Sequence, residues 1–175
     1  MRVLGIDPGT TALGYGVIES DRGLTRIASG VIRVRAAPLA ERLCEIERRL
    51  MAVIREHAPE AAALEAVFSY RNPRSALQLG HARGVALAAC GAAGLPAAEY
   101  APSQIKRAVS GSGRADKGQV QAMVRRLLAL ETLPATDEAD ALAAAICHAA
   151  RAGTGARVGL RSRRRGGRSL REVFS

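Results

Sequence analysis

The hydrophobic period of this chain changes after Pro38, and that change limits its fold more than any other feature. Up to Val34 the apolar residues come in short runs, Arg2 to Asp7, Leu13 to Glu19 and Leu24 to Val34. Asp7-Pro8-Gly9-Thr10 and Asp21-Arg22-Gly23 separate them. Such runs, punctuated by turn residues, predict three consecutive strands in an antiparallel meander. After Pro38 the period lengthens, and Leu39, Leu43, Ile46, Leu50, Val53 and Ile54 recur at helical spacing until Pro59. Ala61 to Phe68 then predicts a buried strand, Ser75 to Ala93 a helix, and Pro96 to Tyr100 a short strand. Pro102 opens a helical turn through Val109, and Lys117 to Leu130 is an amphipathic helix. Thr136 is placed to cap a last helix running to about Arg151. This order predicts an α/β fold with a mixed five-stranded sheet, an antiparallel meander followed by parallel strands, flanked by helices.

The 175 residues suit one folded domain, placed at 1–152. Aromatic residues make up 3% of the chain, so Ala, Leu, Val and Ile must build the core. From Gly153 the pattern dissolves. Residues 153–175 carry Arg157, Arg161, Arg163, Arg164, Arg165, Arg168 and Arg171 against Glu172 alone, and are expected to form a disordered basic tail. The net charge of +10 points to a polyanionic partner. Its cations are nearly all Arg; Lys106 and Lys117 are the two lysines. Cys44, Cys90 and Cys147 have no metal-ligand or redox spacing and read as free thiols in a reducing compartment. No apolar run is long enough to span a bilayer, so a cytoplasmic protein without a membrane partner is expected.

Four carboxylates stand where a solvated surface explains them poorly. Asp7 ends the first strand, and Glu65 interrupts an apolar one. Asp137 and Asp140 lie three apart at the start of the last helix and share a face. Each has a structural alternative. Asp7 before Pro8-Gly9 suits a turn, the aspartates suit a helix N-terminus, and Glu65 is the hardest to explain away. Gathered together, four carboxylates would repel one another and favour a hard divalent cation, Mg²⁺ or Mn²⁺. Two such ions could clamp a scissile phosphodiester.

Several segments, in order, resemble a known family. Gly5-Ile6-Asp7-Pro8-Gly9 with Gly14-Tyr15-Gly16, Glu65-Ala66-Val67-Phe68, and the stretch from Asn72 to Ala86 are similar to segments of the RuvC Holliday junction resolvases. Tyr100-Ala101-Pro102-Ser103-Gln104-Ile105-Lys106, Gly111, Gly113, Lys117 and Asp137-Glu138-Ala139-Asp140 continue the likeness, which covers roughly residues 1 to 150. The resemblance implies an RNase H-like fold and a homodimer making paired symmetric nicks in four-way DNA junctions, in recombination and repair. It implies two Mg²⁺ per active site, with Mn²⁺ as a substitute, held by Asp7, Glu65, Asp137 and Asp140. It implies that Lys106 and Lys117 contact DNA or support catalysis, and that Phe68 stacks near the junction centre. Arg74 and Arg114 are taken as further DNA contacts, and a branch-migration helicase complex as a further partner. The small residues of the 75–93 helix suit a helix-mediated dimer, or close packing on the helix's own sheet. The opening also resembles sugar-kinase and actin-like ATPases, but their architecture needs two such domains. A shorter YqgF-type nuclease would leave Asn72 to Ala86 unexplained, and a binding module with a decayed site would not need four intact acids.

Overall fold

The structure, a computed structural model, describes the backbone of residues 1–66 and 72–163, and side chains as far as residue 152. Three strands come first: β1 (Arg2–Asp7), β2 (Ala12–Ser20) and β3 (Leu24–Arg33). Helix α1 (Leu39–His57), β4 (Ala61–Glu65), α2 (Pro73–Ala92) and β5 (Ala97–Tyr100) follow. Three helices close the chain: α3 (Pro102–Ser110), α4 (Lys117–Leu127) and α5 (Thr136–Arg163). The sheet order is β3-β2-β1-β4-β5. The meander pairs antiparallel, and β4 and β5 add parallel strands beyond β1. This is the mixed five-stranded sheet the sequence predicts.

Alternation along the strands divides the core between the two sheet faces. Val3 and Ala63 point toward α3, α4 and α5, where they join Ile105, Val124 and Leu142. Leu4, Ile6, Ala62 and Leu64 point the other way, against Ile46, Leu50 and Ile54 of α1 and Ala86 and Ala89 of α2. Cys90 and Cys147 are buried and Cys44 is exposed, all as free thiols. No helix among the described residues is long and apolar enough to cross a membrane.

Several boundaries differ from the sequence reading, each for a local reason. Strand β4 stops at Glu65; Ala66 is outside it and Phe68 lies outside the described residues. Helix α2 begins at Pro73 rather than Ser75, because the Asn72 side chain accepts from the Arg74 N–H at 2.9 Å. Helix α4 ends at Leu127, before Ala129 turns to φ 49°. Thr136 does not cap α5: it is already helical, and the Ala135 N–H donates instead to Glu138 Oε2 at 3.2 Å. The backbone of α5 continues to Arg163, past the helix end expected near Arg151.

The start of α5 lies directly on the sheet, and glycines make that approach possible. A Cβ at Gly5 would stand 1.8 Å from the Ala141 carbonyl oxygen. At Gly14 it would stand 1.9 Å from the Asp137 carbonyl oxygen, and at Gly16 2.5 Å from Leu142 Cδ2. Gly5 pairs with Gly16 across β1 and β2, and Gly14 pairs with Asp7. The seat of the helix is therefore built into the register of the first hairpin. Gly14→Ala must push the helix or the strand aside. Urea unfolding of this variant is expected to show a loss of at least about 2 kcal/mol, and an unchanged midpoint would mean that the seat has slack.

Candidate active site

Parallel pairing of β1 with β4 brings the first two acids together. Ile6 aligns with Leu64, so Asp7 and Glu65 leave adjacent strand ends, with backbones about 5 Å apart. Seating α5 on Gly14 then delivers Asp137 and Asp140 to the same end of the sheet. Lys106 comes from α3, and Lys117 from the first turn of α4. Asp116 caps that turn by accepting from the Gln119 N–H at 2.8 Å. All six side chains line one cleft of about 400 Å³. Phe68 lies outside the described residues. Arg74 and Arg114 are exposed and do not line the cleft, so the structure does not bring them to the acids.

The cleft holds uncompensated negative charge. Burial first, then the charges of Asp140, Asp137 and Glu65, push the Asp7 carboxyl up to about 7. Burial and the Asp140 charge raise Glu65. Burial likewise raises Asp140, against the pull of Lys117. Lys117 Nζ stands 3.9 Å from Asp140 Oδ2 but is 78% exposed, so solvent screens its help. Among the described residues no three of these acids are gathered tightly enough to hold an ion as they stand. They line a cleft and repel across it. The donors are all carboxylate oxygens, which fit a hard divalent cation, and its charge would offset the repulsion that raises three of them.

Sequence reasoning missed Arg83. It sits on α2, lines the same cleft and is 16% exposed. One guanidinium nitrogen donates to the Glu65 carbonyl oxygen at 2.8 Å, and the other pairs with the Glu99 carboxylate on β5. Arg83 thus ties α2 to the ends of β4 and β5 beside an acid of the cleft. A signal was present: Arg83 is the only Lys or Arg between Ser75 and Ala92, and Glu99 the only charge between Pro96 and Tyr100. Tyr100, which aligns with Glu65, is anchored from the other face, its hydroxyl 2.8 Å from His148 Nδ1 of α5.

Comparisons with known proteins show the family and the shared fold. Residues 3–148 match the family described as crossover junction endodeoxyribonuclease RuvC. A crossover junction endodeoxyribonuclease RuvC from Halorhodospira halophila is 58% identical over 149 residues, covering 85% of this chain and 89% of the relative. Among solved structures, Thermus thermophilus RuvC superposes with a TM-score of 0.81 at 38% identity, over 89% of this chain and 97% of that one. The same protein in complex with a Holliday junction substrate superposes equally well, at 36% identity with the same coverage.

Two predictions arise from the cleft. The Asp7 carboxyl is raised in the folded state, so folding binds a proton there, and metal-free stability should fall as pH rises from about 4 through 7. Asp7→Asn removes that cost. In EDTA at pH 8 the variant should unfold about 1–3 kcal/mol harder than the parent, the shift being discounted for solvent. The gap should close toward pH 4, and equal stability at pH 8 would sink the electrostatic account. Arg83→Met keeps most of the stem and loses both contacts; it should cost about 1–2 kcal/mol in urea unfolding, and no loss would mean the tie carries nothing.

Proposed function

The chain belongs to the crossover junction endodeoxyribonuclease RuvC family, and from that premise we propose that its cleft hydrolyses phosphodiester bonds at four-way DNA junctions. The observation that carries this reading is the meeting of Asp7, Glu65, Asp137 and Asp140 in one cleft flanked by Lys106 and Lys117. As a member of this family the protein is a metal-dependent nuclease. The finer reading is two Mg²⁺ per site, replaceable by Mn²⁺ and held by the four acids. Bound there, such ions supply an activated water and Lewis-acid stabilisation of the leaving oxygen.

The protein's own part is to hold these groups in place. Asp7 and Glu65 sit on strand ends fixed by backbone pairing, so they are rigid ligands. Asp137 and Asp140 come from one helical face and close the set from above the sheet. Lys106 and the exposed Lys117 each offer a compact ammonium at the rim, suited to the non-bridging oxygens of the DNA backbone. Arg74 and Arg114, away from the cleft, are assigned to phosphates of the flanking arms. Phe68, outside the described residues, is assigned to the junction centre on family likeness.

Paired cuts need two sites, and a two-fold homodimer matches the two-fold symmetry of a four-way junction. Helix α2 suits that contact: Gly80, Gly84 and Gly91 are exposed, and a Cβ at any of them would meet nothing within 4 Å. The setting proposed is the cytoplasm, alongside a branch-migration helicase.

The test is cleavage of a synthetic four-way junction, beside a linear duplex of the same sequence, in Mg²⁺, Mn²⁺ or EDTA. Symmetric nicks in the junction alone, needing metal, are expected. Asp7→Asn should reduce them to the EDTA level while junction binding survives. Binding without cutting in either metal would turn the reading toward a binding module.

A further inference from the structure

A second charged feature occupies the same end of the sheet as the acidic cleft, on the other side of β1. Arg33, Arg35, Arg42 and Arg49 line a shallow groove of about 420 Å³ between the end of β3 and the start of α1. Glu41 and Glu45 share that groove, leaving four guanidinium groups against two carboxylates. Not all four cations are free. Arg49 is committed to Glu45 and the Arg33 carbonyl oxygen. Arg42 donates to the Thr10 carbonyl oxygen at 3.0 Å, on the loop that leaves Asp7, and its buried Nε has no partner among the described residues. Arg33 and Arg35 are exposed, and no contact within the described residues holds either side chain.

Strand register gives the separation of the two features. Asp7 pairs with Gly14, Gly14 with Val31, and Arg33 lies two residues beyond Val31 in the direction β1 points. Two inter-strand steps and two residues along a strand place the Arg33 backbone roughly 12 Å from that of Asp7. One DNA strand presents a phosphate about every 3.4 Å of helix axis, so this is roughly three to four phosphates along a duplex. The loop between is also fixed: Val34 donates to the Thr11 carbonyl oxygen at 3.1 Å, so groove and cleft hang on the same hairpin.

We propose that Arg33 and Arg35, on the groove built by Arg42 and Arg49, hold backbone phosphates of the duplex arm that leads away from the cut site. This rests on the junction-endonuclease reading and adds a binding site to it. The groove would fix the arm's direction over the sheet, so that the scissile phosphate meets the acids. The contacts are to phosphate and therefore carry no base preference.

The test measures the affinity of the full-length protein for a labelled four-way junction in EDTA, from 50 to 200 mM salt. R33Q/R35Q is compared with R22Q/R55Q, which removes the same charge from exposed positions at the opposite end of the sheet. Each lost phosphate contact should flatten the log–log salt slope by about 0.9. The expected result for R33Q/R35Q is a slope shallower by about 2 and binding about ten-fold weaker at 150 mM salt, with the slope of R22Q/R55Q unchanged. Equal losses in both variants, or none in either, would overturn the groove. Whether the unaltered protein cuts the same junction on adding Mg²⁺ is read separately, so failure of the function and failure of the groove are distinguishable.

Discussion

The contact between the first turns of α5 and the glycines of the β1–β2 hairpin sets the rest of the structure. A helix on an ordinary strand surface rides on side chains and is held about 10 Å off. Here Gly5, Gly14 and Gly16 remove those side chains, and the helix backbone meets the sheet. That brings Asp137 and Asp140 within electrostatic reach of Asp7, whose raised carboxyl reports both of them. The same contact is strongly apolar further along: Ala141 to Cys147 are all buried, Leu142 completely. Burying one such leucine contributes about 1.5–3 kcal/mol. Crowding the acids costs on the order of a few kcal/mol, within reach of that packing. Apolar burial along α5 therefore holds in place charges that would otherwise push it away.

Charge is divided by location. The protein as a whole is strongly basic, at +10, yet burial and the neighbouring acids of its cleft push the Asp7 carboxyl up to about 7. A basic exterior draws DNA from a distance, and an acidic interior would repel the phosphate that arrives. Lys106 and Lys117 relieve part of that conflict, since each lowers the carboxyls that burial raises. The rest calls for divalent charge, so in this fold metal binding and substrate binding are two parts of one electrostatic problem.

The strands and helices were legible because each is written in local period and punctuation. Asp7 and Glu65 stood out because a charge at the end of, or within, an apolar run has few structural uses. Their meeting was not legible, because it depends on β1 pairing with β4 across more than fifty intervening residues. The tie that steadies one of them is half legible: the lone Arg83 and the lone Glu99 mark an ion pair, but not what it holds. Arg83 acts through the backbone carbonyl of Glu65, and a backbone acceptor leaves no mark in a sequence. The charge of Arg74 and Arg114 is visible in the sequence, but their distance from the cleft is decided by loops and helix starts. The expected cap of α5 is not formed, because Thr136 is a good capping residue placed one position too late.

The segment Asp137-Glu138-Ala139-Asp140 shows how a helix sorts identical chemistry into different tasks. Asp137 and Asp140 are three apart and face the cleft together. Glu138 is rotated about 100° from Asp137 and cannot join them. It instead accepts from the Ser29 hydroxyl of β3 at 2.6 Å and from the Ala135 N–H that opens the helix. Ala139, on a third side, is 2% exposed and lies in the core. One helical turn thus supplies two acids to the cleft, one anchor to the edge of the meander and one contact to the interior. Sliding this turn by one residue, each taking its predecessor's place, would put Glu138 in the cleft, but Ala141 would replace Asp140 there, Ala139 would face Ser29, and Leu142 would replace Ala141 over Gly5. The glycine seat and the Glu138 anchor exclude that slip from two sides, so what places the acids is register, and their number alone would not.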